Sequence, residues 1–162
     1  MKLFQRIFGR KPDPQMTPDL ASEIRRSFEE AAGDEEHFPS TIDPRILHVR
    51  TIVEFFGDLG HGRALDVGCG KGRFARILKE HNPRATVVAM DLAVAMLTHA
   101  DANLGRVAAS MLALPFPDAV MDAAYATESL EHAVDIGAAV AEMACRSRPV
   151  SSIPSSGWCC RR

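Results

Sequence analysis

The stretch Leu65-Asp66-Val67-Gly68-Cys69-Gly70-Lys71-Gly72-Arg73-Phe74 decides the fold of this 162-residue chain. An apolar run carrying one carboxylate enters a turn with glycine at every second position, and an amphipathic segment follows at once. A strand that bends into a helix while leaving room for a ligand against bare backbone has this composition. Glycine reaches φ > 0 and lacks the Cβ that would block close approach. The amides that open the helix are then expected to face the bound molecule.

Working outward, the pattern alternates. Ala64–Val67 reads as a buried strand and Gly72–His81 as a helix stopped by Asn82-Pro83. Thr86–Met90 is a β-rich strand ending at Asp91, Ala93–Asn103 a helix, and Arg106–Ala109 a short third strand. Val120–Ala126 is a fourth strand and Asp135–Ala144 a further helix. Short, nearly continuous apolar strands separated by helices predict an α/β fold, a Rossmann-like parallel sheet with helices on both faces. Upstream, Thr17 is a good N-cap before Pro18, and Leu20, Ile24, Phe28 and Ala31 recur at helical spacing up to Gly33. Asp43-Pro44 starts a second helix with the stripe Ile46, Val49, Val53 and Phe56.

The ends of the chain differ from this core. At the N-terminus, Leu3, Phe4, Ile7 and Phe8 would share one helical face ringed by Lys2, Arg6, Arg10 and Lys11, which suits weak contact with an anionic membrane surface. The alternative is a short helix packing on its own domain, or a frayed end. From Cys145 onward neither strand nor helix period holds, and Ser151–Arg162 is rich in serine and interrupted by proline. That ending reads as an aberrant, disordered tail, frameshifted or otherwise altered; translating the coding DNA in its other frames tests this. The organisation expected is an amphipathic segment and linker over 1–16, a helical lid over 17–62, the sheet domain over 63–144 and the tail over 145–162.

Bulk properties bound the function. Hydrophobic residues make up 46% and charged ones 25%, as in a folded globular domain. A net charge of -2 favours no nucleic acid partner. The four cysteines, Cys69, Cys145, Cys159 and Cys160, show no metal-ligand spacing, so no metal is expected. No secretory leader precedes them, and reduced thiols in a cytoplasmic protein are the expectation.

Asp91 is the second landmark of the site. A carboxylate at the carboxyl end of the second strand can accept both hydroxyls of a ribose lying over the glycine turn. Turn and acid together predict a nucleoside cofactor without saying which. The spacing narrows the choice: a dinucleotide fingerprint is G-x-G-x-x-G, whereas Gly68-Cys69-Gly70-Lys71-Gly72 is G-x-G-x-G. With Asp66 two residues ahead, it resembles motif I of the class I S-adenosylmethionine-dependent methyltransferases. Val87-Val88-Ala89-Met90-Asp91-Leu92 is similar to that family's ribose-binding strand end. Leu114-Pro115-Phe116-Pro117-Asp118 is similar to its "LPF" loop, and Glu128-Ser129-Leu130-Glu131-His132 to the segment after its fourth strand.

The resemblance covers residues 63–144 and implies S-adenosyl-L-methionine as cofactor and a small molecule as methyl acceptor. By position, the backbone of Gly68, Cys69 and Gly70, with Gly72 completing the turn, would face the methionine part of the cofactor. Asp66 would bind its amino group, directly or through water. Asp91 would hold the ribose and Leu92 would pack on adenine. Ser110 stands where the family usually has an acid for the adenine amino group, Met111 would present its amide to the ring, and Thr127 would border the transfer site. His132 is a weak candidate for a general base, with a structural histidine as the alternative. Glu128 and Glu131 read as solvated or packed on helix ends, Asp66 alternatively as a helix cap, and Cys69 as a backbone position rather than a nucleophile. His37, Phe38, and Phe55 or Phe56 are candidate acceptor contacts.

The family sheet has seven strands in the order 3-2-1-4-5-7-6, and this chain offers candidates for the first four. It thus reads as a truncated enzyme of doubtful turnover. A non-catalytic module that binds cofactor or a partner is the alternative from another class, and an NAD-dependent oxidoreductase a further one.

Overall fold

A computed structural model describes residues 18–148. Four strands, β1 (Arg63–Val67), β2 (Thr86–Asp91), β3 (Gly105–Ala108) and β4 (Ala123–Tyr125), form one parallel sheet in the order β3-β2-β1-β4. Among the described residues the helices are α1 (Pro18–Ala31), α2 (Leu47–Phe56), α3 (Arg73–His81), α4 (Val94–Thr98) and α5 (Ile136–Arg146), with a 3-10 turn at Leu130–His132. The chain steps outward from β1 to β2 and β3, then returns to β4 on the other side of β1. That reversal places a crevice at the carboxyl ends of β1 and β4, where ligands bind in open sheets of this kind.

Strand alternation sorts the core into two layers. Ala64, Val87, Ala89, Ala123 and Tyr125 face a cluster with Phe74, Ile77 and Leu78 of α3 and Val49 of α2. Leu65, Val67 and Met90 face the opposite side with Leu114, Met121 and the partly buried Met143 of α5. Both faces are therefore covered, as an all-parallel sheet requires. A third cluster docks α1 on α4 through Phe28, Ala31, Ala32, Ala93 and Met96.

Several elements are shorter than the sequence predicts. The second N-terminal helix begins at Leu47 rather than Asp43, because the Asp43 carboxylate takes the Arg45 amide at 2.9 Å and its guanidinium, closing a turn first. The stripe shifts with it: Val49 is buried, whereas Ile46 is exposed. Helix α4 stops at Thr98, where His99 and Ala100 bond three residues back. Strand β4 keeps three of the seven expected residues.

The far side of β4 corrects the boundary expected at 144. Helix α5 continues through Arg146. Met121 then pairs with Ser147 in a parallel bridge, with the Arg148 amide 2.8 Å from the Met121 carbonyl. Residues 145–148 thus extend the α/β pattern beside β4. Cys69 is buried and free. The rest of the predicted tail and the amphipathic N-terminal segment lie outside the described residues. Among those residues no helix is long and apolar enough to cross a membrane, and none of the His, Cys, Asp and Glu side chains cluster as a metal site.

Candidate functional site

A cavity of about 420 Å³ occupies the crevice at the switch point, within the range of small-molecule sites. Gly68, Cys69 and Gly70 form its floor with Asp91 and Leu92 from the end of β2. Ser110, Met111 and Thr127 line it from the segments after β3 and β4. His132 joins them, its ring edge-on to Phe28 of α1 at 5.1 Å. The strand order brings together nine of the eleven residues expected to bind cofactor or act in catalysis, counting His132.

Asp66 and Gly72 do not line it. Asp66 is 1% exposed and, by alternation, points with Ala64 into the layer of α3. Burial pushes its carboxyl up to about 7, and the neighbouring Asp91 charge adds to this. The Tyr125 hydroxyl and the Ala75 amide pull the other way. Even so, Asp66 Oδ2 and the Tyr125 hydroxyl both lack a hydrogen-bond partner among the described residues. A buried carboxylate oxygen without a partner is costly.

The three glycines serve different purposes. A Cβ on Gly68 would lie 2.5 Å from Ser129 Cβ, and φ there is +72°. Ser129 is buried and donates to the Val67 carbonyl at 2.8 Å, so Gly68 lets the loop after β4 sit on the loop after β1. A Cβ on Gly72, at φ +76°, would lie 3.2 Å from Ala100 and 3.4 Å from Leu104; this glycine is needed for packing on the α4 side, not for the cavity. Gly70, at φ +55°, would present its Cβ to open space. It alone of the three keeps the floor clear.

The amides of the turn are engaged within the fold. Those of Gly68 and Cys69 both donate to the Met90 carbonyl, at 2.8 and 2.9 Å, and that of Gly70 to Asp91 Oδ2 at 2.8 Å. These bonds fix the shape of the floor. Asp91 also accepts from the Ala93 amide, at 2.9 Å on Oδ1. A carboxylate has about four acceptor sites, so two bonds orient it and leave capacity for a ligand. Burial raises its pKa, and the Ala93 and Gly70 amides work against that. Burial likewise drives the Cys69 thiol far up, with Asp66 and Asp91 adding, so it stays protonated and is no nucleophile. Ser110 already accepts from the Leu112 amide at 3.2 Å, and its hydroxyl retains a donor and a lone pair.

The roof comes from α1 and the loop after it: Ile24, Phe28, His37, Phe38 and Pro39 line the cavity. Phe55 is 81% exposed and Phe56 packs against Tyr125, so neither is an acceptor contact. Two features of the roof depart from the sequence pattern. Glu128 sits at φ +54°, a left-handed conformation. There it takes the Arg73 guanidinium on one oxygen and lies 3.5 Å from His48 Nε2 with the other. Lys71, within the glycine turn, is buried and reaches Glu35 at 2.6 Å. An isolated lysine between two glycines and an acidic loop thirty-odd residues upstream carry no periodicity, so neither signalled the pair.

Residues 65–149 match the methyltransferase domain model. Malonyl-acyl-carrier-protein O-methyltransferase of Geobacter sulfurreducens is 29% identical over 125 residues, 74% of this chain and 46% of the relative. The chain spans less than half the length of the curated relatives it matches. Among solved structures, geranyl diphosphate C-methyltransferase from Streptomyces coelicolor, in complex with S-adenosyl-L-homocysteine, aligns with a TM-score of 0.63 at 17% identity. That alignment covers 82% of this chain and 61% of that one. The (4+2)-cyclase SpnF aligns at 0.69 and 18% identity, covering 80% and 57%. At these identities the likeness is one of fold.

Proposed function

The chain belongs to the methyltransferase domain family, and from that premise we propose that it binds S-adenosyl-L-methionine over the glycine turn and transfers the methyl group to a small-molecule acceptor. The observation that carries this reading is Gly70 beside Asp91: an open Cβ position next to an oriented carboxylate with acceptor capacity left, at the switch-point edge. Asp91 would accept from the ribose hydroxyls. Leu92, Ser110 and Met111 would enclose adenine, the serine hydroxyl replacing a carboxylate. Asp66 Oδ2, buried without a partner, is suited to a cationic amino group reached through an ordered water, since the residue lies beneath the floor.

Bound there, S-adenosylmethionine supplies a methyl group on a sulfonium, already an activated leaving group. What remains for the protein is alignment and exclusion of water. Thr127 and the mostly apolar roof would do both, with His132 placed to take a proton from an acceptor that must lose one. Residues 17–62 would serve as the acceptor-side lid. Likeness to the malonyl-acyl-carrier-protein methyltransferase favours one second reading, in which the acceptor is a carrier-tethered malonyl group. A similar fold in a (4+2)-cyclase keeps a third in view, a cofactor-binding module that transfers no methyl group.

The test is calorimetry and thermal shift on the full chain with S-adenosylmethionine, S-adenosylhomocysteine and NAD. Both sulfur ligands are expected to bind and raise the melting temperature, and Asp91→Ala to weaken them by roughly tenfold to a hundredfold. Tight NAD binding without response to the other two overturns the reading. Binding without transfer to small acceptors or to malonyl-acyl-carrier protein selects the module.

A further inference from the structure

We propose that Lys71 is a positioning residue that clamps the loop Asp34–Ser40 over the cavity, and that this clamp retains the bound methyl donor; the second clause rests on the donor reading above. Lys71 projects from the turn that forms the cavity floor, between Gly70 and Gly72. Its side chain is 1% exposed, although a lysine this long usually extends its charge to water. The ammonium instead lies 2.6 Å from Glu35 Oε1 and 3.2 Å from the Asp34 carbonyl.

The loop it holds is knitted by its own acids. Glu35 Oε2 accepts from the Ser40 amide at 2.9 Å and the Ser40 hydroxyl at 2.7 Å. Asp34 Oδ1 accepts from the amides of Glu36 and His37, and Oδ2 lies 2.8 Å from His37 Nδ1. These bonds tie the segment together, and it carries His37, Phe38 and Pro39, which line the cavity together with the turn. Among the described residues, every hydrogen bond between this loop and the turn runs through the Lys71 ammonium. A buried ammonium paired with a half-exposed carboxylate adds little net stability, because desolvation offsets the attraction. What the pair fixes is geometry: it is the hydrogen-bonded link between the turn and this loop, beside the packing of Phe38 with Phe28, Ala93 and Met96.

The experiment compares hydrogen exchange at the amides of 36–40 and the S-adenosylhomocysteine dissociation rate in the full chain and in Glu35→Gln, Lys71→Met and Lys71→Arg. A charge-swapped double variant (Lys71→Glu with Glu35→Lys), which keeps the summed side-chain length, completes the set. Glu35→Gln changes a largely exposed side chain, so it folds even if Lys71→Met does not. The clamp predicts faster exchange at 36–40 without ligand, and roughly tenfold faster dissociation of S-adenosylhomocysteine, alongside a lower melting temperature in Glu35→Gln, where the buried ammonium loses its partner. Lys71→Arg and the double variant are expected to restore most of both rates; a merely structural lysine would lower stability without selectively speeding exchange at 36–40 or dissociation. Ligand-free exchange in Glu35→Gln equal to wild type overturns the clamp, and faster exchange with unaltered dissociation overturns retention. If the wild-type chain binds no S-adenosylhomocysteine, the donor reading and retention fail together, while the ligand-free arm still decides the clamp.

Discussion

The floor and the roof of the cavity are built by different means. The floor is backbone on a sheet: three amides of the glycine turn bond to Met90 and Asp91, and both strand ends are held in parallel register. The roof is side chains joining segments far apart in the chain. Glu29 of α1 takes the amides of Val94 and Ala95 at the start of α4, Lys71 takes Glu35, and Glu128 takes Arg73. A backbone-built wall moves only when the sheet opens, whereas a wall held by a few side-chain contacts can open locally. This division suits an enzyme that must hold one ligand firmly and admit another.

The largest effect expected concerns a charge under the floor. Asp66 titrates near 7 in the folded chain against an ordinary 3.8. A raised carboxylate favours the folded state most when protonated. Its contribution is therefore full at acid pH below the unfolded value, and is lost as pH rises through about 7, by roughly 4 kcal/mol in all. Asp66→Asn is expected to flatten this dependence in urea titrations between pH 4.5 and about 8.5. An unchanged slope would mean that the floor ionises Asp66 freely. Next comes the pair Gly68→Ala and Gly70→Ala. The first is expected to cost about 3 kcal/mol, through overlap with Ser129 as well as left-handed φ. The second is expected to cost about 1 kcal/mol through φ alone, yet to be the more damaging to S-adenosylhomocysteine binding per unit of stability lost. The reverse ranking in denaturation and calorimetry would break the assignment of Gly68 to packing and Gly70 to ligand.

The same division explains what the sequence made legible. Strand–turn–helix signals and the acid that ends β2 are local, and each appears in the fold within a few residues. The glycine spacing was legible as a turn. Which glycine faces a ligand was not, because that depends on Ser129 and Ala100 arriving from elsewhere in the chain. The roof escaped for the same reason. Glu128, read as solvated or packed on a helix end, lines the cavity because β4 lies beside β1 and brings it within reach of Arg73 and His48. Its left-handed backbone has no glycine or asparagine to signal it. Asp66 was identified for its charge in an apolar strand, but its depth below the floor follows from strand register rather than composition.

Glu128 offers the smallest effect and the finest test of the comparison. Two contributions oppose each other there. Glycine at 128 relieves the left-handed conformation by about 0.5–1 kcal/mol, while losing the pairs with Arg73 and His48 costs at most about 1 kcal/mol, since the Glu128 side chain is half exposed. Glu128→Gly is thus expected to leave stability within about 1 kcal/mol of wild type. Alanine loses the same pairs and keeps the strain, so Glu128→Ala should be less stable than Glu128→Gly by about 1 kcal/mol. Both should leave S-adenosylhomocysteine affinity within about threefold, because no contact of the floor depends on Glu128 (a threefold change is about 0.7 kcal/mol). Urea midpoints and calorimetry on the two variants measure these quantities. If either variant abolished S-adenosylhomocysteine binding, the roof would be holding the floor in shape through Arg73, the first residue of α3. Floor and roof would then be one wall rather than two.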